Sequence, residues 1–93
     1  MKFKKTVKQP GAAQILVNEN INLNEFRSLM IELACTLSST VEWIAMPEAK
    51  IGKIKLSIGQ IYAKFDFAYG FEFDCEGCMD HDISQIETTL SKK

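Results

Sequence analysis

Ile51-Gly52-Lys53-Ile54-Lys55-Leu56-Ser57-Ile58-Gly59-Gln60-Ile61-Tyr62-Ala63-Lys64-Phe65-Asp66-Phe67-Ala68-Tyr69-Gly70-Phe71-Glu72-Phe73-Asp74-Cys75 holds three apolar runs in period-2 alternation. The runs are Ile54, Leu56 and Ile58; Ile61, Ala63, Phe65 and Phe67; and Phe71, Phe73 and Cys75. Alternation of this period is the pattern of half-buried strands, and the glycines between the runs mark turns. A two-residue Gly59-Gln60 turn, with glycine at its first central position, pairs Ile58 with Ile61, Leu56 with Ala63 and Ile54 with Phe65. For the second hairpin, a two-residue Tyr69-Gly70 turn sets Phe65 against Asp74. A three-residue Ala68-Tyr69-Gly70 loop instead pairs Phe67 with Phe71, Phe65 with Phe73 and Ala63 with Cys75, and is the one expected. On the opposite face this register sets Lys53 against Asp66, Ser57 against Tyr62 and Lys64 against Asp74, with Lys55–Lys64 and Asp66–Glu72 as like-charge neighbours. That face is expected to be wet.

Two further strands and two helices surround the meander. After the Pro10-Gly11 breaker, Ala13 to Val17 has β-branched character, and Val41 to Met46 alternates with Val41, Trp43 and Ala45 on one side until Pro47. Asn22 with Glu25 has capping-box spacing, so a helix is predicted from about Leu23 to Ser38. Leu23, Phe26, Leu29, Met30, Leu33, Ala34 and Leu37 share one face of it, while Ile31 and Cys35 lie on a flank beside Asn24 and Arg27. Met79, Ile83, Ile86 and Leu90 recur at helical spacing, predicting a helix over about 79–91 whose start is capped by Asp82 with Gln85 or by Ser84 with Glu87. The expected fold is α+β: a two-layer sandwich whose mainly antiparallel sheet of about five strands carries both helices on one face. Residues 1–93 read as a single domain, with residues 1–10 either a frayed basic tail or an edge strand.

With 93 residues, 46% of them hydrophobic, and a net charge of −1, the chain sits among ordinary globular proteins. A chain of this size buries only about 60–65% of its unfolded surface, which leaves room for a partner subunit to add stability. The basic start, with four lysines in eight residues, is not followed by an apolar run of signal-peptide length before Gln9-Pro10-Gly11. A cytoplasmic location and no membrane partner are therefore expected. Three cysteines are an odd number for a disulfide framework, and the balanced charge argues against nucleic acid as the main partner.

Chemistry concentrates in Asp74-Cys75-Glu76-Gly77-Cys78-Met79-Asp80-His81-Asp82. Cys75, Cys78 and His81 offer two thiolates and an imidazole, the ligand types of zinc, with Asp80, Asp82, Cys35 or water as a fourth. Zinc sites are marked more strongly by a second, distant ligand pair, which this chain lacks. The simpler reading makes Cys75 a core residue, Cys78 part of a turn at Gly77, and His81 a member of a polar first helical turn. Redox chemistry would need a thiol of depressed pKa, yet Glu72, Asp74, Glu76, Asp80 and Asp82 surround the pair with no lysine or arginine between residues 65 and 91. Acids at a helix start are expected from the helix dipole, and they lack the spacing of a calcium loop.

Elsewhere, Lys53, Lys55, Lys64 and Tyr62 share the open sheet face with acids, which fits a solvated surface better than a nucleic-acid platform. One histidine and no glycine-rich phosphate loop leave no triad or P-loop. Trp43 and Tyr69 are expected in the core or at a subunit interface. The function expected is that of a small, non-catalytic cytoplasmic binding module without a cofactor: an adaptor, regulator or immunity-type protein. Its partner is another protein or a second copy in a homodimer. The alternative is a zinc-binding or thiol-redox protein using Cys75, Cys78 and His81, and a third reading places a small-ligand pocket between helices and sheet.

Overall fold

A computed structural model describes residues 1–47, 49–66 and 70–93. In chain order the elements are β1 (Phe3–Gln9), β2 (Ala12–Val17), α1 (Leu23–Thr36), β3 (Val41–Ala45), β4 (Ala49–Lys55), β5 (Gln60–Asp66), β6 (Gly70–Glu76) and α2 (Asp80–Ser91). The strands form one antiparallel sheet in the order β1-β2-β6-β5-β4-β3, with both helices packed on one face. It is the expected α+β sandwich, with six strands rather than about five. The added strand is β1, whose Phe3, Lys5 and Val7 face the helix side and whose lysines dilute the apolar alternation.

The capping box at α1 forms as its spacing requires: the Asn22 side chain accepts the Glu25 N–H at 2.8 Å, and the Glu25 carboxylate accepts the Asn22 N–H at 3.3 Å. Phe26, Leu29, Met30, Leu33 and Ala34 are buried, with Leu23 and Leu37 partly so. The helix ends at Thr36, two residues before its expected end, because Ser38 turns into the left-handed region at φ 56°. There Ser38 N–H donates to Cys35 C=O and Ser39 N–H to Ala34 C=O, the bonding of a Schellman cap.

Helix α2 starts at Asp80 with Met79 as N-cap and no side-chain cap, so neither Asp82 nor Ser84 opens it. Its buried stripe is Ile83, Ile86, Thr89 and Leu90; Met79 lies outside it, 54% exposed.

Among the described residues the expected faces hold except at Ile58, and the expected registers do not. Between β4 and β5, Ile54 pairs with Ile61, Gly52 with Ala63 and Lys50 with Phe65, so the pairing sum slips by four residues. The turn is Ser57-Ile58, closed by Leu56 N–H donating to Gly59 C=O at 3.1 Å, and Ile58 leaves the core for solvent. Between β5 and β6, Phe65 pairs with Phe71, Ala63 with Phe73 and Ile61 with Cys75, a slip of two. Gly70 pairs with Asp66 within the sheet, and Phe67, Ala68 and Tyr69, on which the expected loop and the Tyr69 assignment fall, lie outside the described residues.

On the open face the observed register puts Lys64 opposite Glu72, Tyr62 opposite Asp74 and Lys53 opposite Tyr62. Neither like-charge neighbour pair survives: Lys55 faces Gln60, and Asp66 faces Gly70. Opposed unlike charges are favoured over like ones by a few tenths of a kcal/mol or more, roughly 0.2–1 kcal/mol per pair.

Core packing centres on Phe26. Its ring centroid lies 5.1 Å from Phe65, 5.6 Å from Phe71 and 6.2 Å from Trp43. Gly52 lies beneath Met30, and a Cβ there would meet Met30 Cε and Trp43 Cζ3 at 3.1 Å and Val41 Cγ1 at 3.2 Å. The observed register brings a residue without a side chain to this point.

Candidate functional site

Three turns meet at the end of the sheet where the cysteine segment lies. Gly77, at φ 64°, bends the chain out of β6, and Cys78 N–H donates to the Gly11 carbonyl of the β1–β2 turn at 2.9 Å. Gly59 of the β4–β5 turn approaches so closely that a Cβ on it would lie 2.5 Å from the Gly77 backbone. This corner delivers α2 onto the sheet.

Cys75 is buried on the helix side of β6, beside Ala13 and Ile61. Cys78 is also buried, and its thiol donates to Gln60 C=O at 3.2 Å. The two thiols lie near enough for each to shift the other's ionisation. Burial pushes the Cys75 thiol up to about 12, with the neighbouring Cys78 and Asp74 adding to the shift and Lys5 opposing it. Burial also pushes the Cys78 thiol up. Both sulfurs thus favour the protonated thiol at neutral pH, the form that does not attack disulfides.

The structure brings Cys75 and Cys78 together and leaves His81 exposed on the first turn of α2. Asp80 is exposed beside it and Asp82 is half-buried. Among the described residues, no group of three or more His, Cys, Asp or Glu side chains is placed to hold a metal ion. Cys35 is exposed on the outer side of α1, away from the pair.

The open sheet face is mixed in charge. Lys53 Nζ sits 5.7 Å from the Tyr62 ring centroid, Gln14 donates to Glu72 at 2.9 Å, and Gln60 donates to Glu76 at 3.1 Å. A shallow depression of about 460 Å³ lies among Lys8, Ala12, Ile51, Tyr62, Asp74 and Glu76, and one of about 380 Å³ among Leu16, Asn18, Lys64, Asp66 and Glu72. Their walls carry both signs of charge, so neither selects a ligand by charge.

The two edges of the sheet differ. β1 carries Lys4, Lys5 and Lys8 and has a register break between Val7 and Gln9, both devices that discourage another strand from pairing. β3 reads Val41-Glu42-Trp43-Ile44-Ala45, with one charge and no lysine. Ile44 is 40% exposed and Met46, just beyond, 50%. Met46 N–H donates to Ala49 C=O at 3.1 Å, in line with the β3–β4 register, so Ile44 and Glu42 also bond β4. By the same alternation the N–H and C=O groups of Val41, Trp43 and Ala45 point away from the sheet.

Sequence reasoning placed β3 as a strand without finding it at an edge. The available signal was its low charge beside the lysine-rich start of the chain.

Comparison of the chain with protein-family models, with curated proteins and with solved structures gives no match. Among the described residues, no helix is long and apolar enough to cross a membrane.

Proposed function

We propose that the protein is a non-catalytic cytoplasmic binding module that engages another polypeptide along the free edge of β3. The observation that carries this reading is the contrast between the edges: lysines and a register break guard β1, whereas β3 has one charge, no lysine and no register break. An apolar edge with unpaired backbone groups is a template for strand addition, a mode in which main-chain hydrogen bonds supply affinity and alternate side chains supply selectivity. An adaptor, regulator or immunity-type role is compatible with such an edge. Three free thiols suit a reducing compartment.

The test is a photo-reactive benzoylphenylalanine placed in living cells at Ala45 or, as a control, at Lys53 on the open sheet face. Adducts from position 45 and none from position 53 are expected. An edge position that yields no adduct would overturn the reading.

The zinc or thiol alternative draws on the proximity of Cys75 and Cys78 at the end of β6. Elemental analysis of protein purified without chelator decides it: about one zinc per chain, lost in Cys78→Ser, would establish a metal role.

A further inference from the structure

We infer that the occupant of the β3 edge is the β3 edge of a second copy, paired antiparallel about a two-fold axis through Trp43, so that two six-stranded sheets become one. The inference rests on the edge-binding reading above and names its partner.

Hydrogen-bond phasing supports it first. The outward-facing residues are Val41, Trp43 and Ala45, symmetric about Trp43. A two-fold axis there sets Trp43 against Trp43 and Val41 against Ala45 of the second copy, and every outward donor meets an outward acceptor. The neighbouring symmetric registers are worse. An axis at Glu42 opposes two carboxylates, and one at Ile44 sets Val41 against Pro47, which has no N–H to give.

The helix layer supports it independently. Because the axis is normal to the sheet, both copies of α1 fall on the same side. Met30 of α1 reaches the space over Gly52 beside Trp43 and Val41, whereas Glu32 on the other side of α1 meets Lys93, just beyond α2, at 2.9 Å. The flank carrying Arg27 and Ile31 therefore lies on the β3 side, and Ile31 is 59% exposed. Pairing of the edges brings the Ile31 flanks of the two copies toward each other.

Charge excludes the other symmetric option. Pairing β1 with β1 would gather Lys4, Lys5 and Lys8 of both copies. Pairing β1 with β3 is heterologous and leads to open filaments rather than a closed dimer.

Light scattering on the purified full-length chain at tens of micromolar should give twice the 10.5 kDa chain mass. Ala45→Pro should give a monomer with an unchanged circular dichroism spectrum, because the N–H it removes points out of the sheet and proline is tolerated at such edge positions. Ile31→Lys, at a surface position, should also weaken the dimer, by tenfold or more. For the register, Val41→Cys and Ala45→Cys chains in a Cys35→Ser background should cross-link when mixed and oxidised, since paired Cα atoms lie within disulfide reach, and neither should cross-link alone.

A dimer that survives both Ala45→Pro and Ile31→Lys, or growth into filaments, would overturn the inference. So would a wild-type monomer at 100 micromolar. If that monomer still gives adducts from position 45 with a different protein in cells, edge binding stands and self-pairing falls. If position 45 gives no adduct either, both fall.

Discussion

Phe26 on α1 and Phe65 on β5 lie with ring centroids 5.1 Å apart and planes tilted by 33°. This contact ties the helix layer to the centre of the sheet, and Phe71 and Trp43 complete the cluster around the same Phe26 ring.

Phe26 is fully buried, so Phe26→Ala removes the hub of that cluster and leaves a cavity bounded by three other aromatic rings. A loss of about 3–5 kcal/mol is expected, as for buried aromatics in general. Phe73→Ala, also fully buried, should fall in the same range. Urea unfolding midpoints measure both, and a loss below about 1 kcal/mol would contradict the packing described.

Gly59 and Gly77 both have positive φ, at 86° and 64°, yet alanine should affect them very differently. At Gly77 the nearest atom to a new Cβ is 3.8 Å away, so Gly77→Ala meets only the left-handed backbone cost of about 1–2 kcal/mol. At Gly59 the Cβ would meet Gly77 C and O at 2.5 Å and Glu76 O at 2.6 Å, all backbone atoms that cannot rotate aside. Gly59→Ala should therefore cost clearly more than Gly77→Ala in thermal denaturation; equal losses would contradict the close approach of the two turns.

The same glycine contact explains what the sequence revealed and what it withheld. Period-2 alternation assigns Ile54, Ile61, Ala63, Phe65, Phe71, Phe73 and Cys75 to one face, and all are buried there. A slip of two or four residues in the pairing sum leaves every one of those assignments intact, so alternation is silent about register. Register was set by contacts remote in sequence: Gly59 against Gly77, and Gly52 beneath Met30 and Trp43. The burial of Cys75 was legible from the strand pattern. The exposure of His81 depended on where α2 begins, and Met79 opens that helix without a side-chain cap to announce it. The edge position of β3 was hidden because strand order is a property of all six strands together.

Ser38 holds the left-handed position of the α1 Schellman cap, where glycine is the usual occupant. Glycine avoids the steric cost that an L side chain meets there, although it gives back part of that gain through greater freedom in the unfolded chain. Ser38→Gly should stabilise the protein by about 0.5–1 kcal/mol, while Ser38→Val, β-branched in the same conformation, should destabilise it. Chemical denaturation of the three proteins gives the order directly.

Cys75 predicts how stability falls in alkali. Its thiol, ordinarily near 9.0, is raised to about 12 in the folded chain, chiefly by burial. The folded state therefore keeps a proton that the unfolded chain releases, and stability must decrease with rising pH wherever that difference exists. The contribution is fully present below about pH 9 and is lost between pH 9 and about 12. Cys78 shifts in the same direction and adds to the effect. Cys75→Val keeps an apolar side chain of similar size and has no proton to lose, so its urea midpoint should fall less than that of the wild type between pH 8 and about 10.5. All other side chains are the same in both proteins, so the difference between the two curves isolates the thiol. Parallel curves would mean that Cys75 ionises in the fold as readily as in water, and that the corner around it is open to solvent.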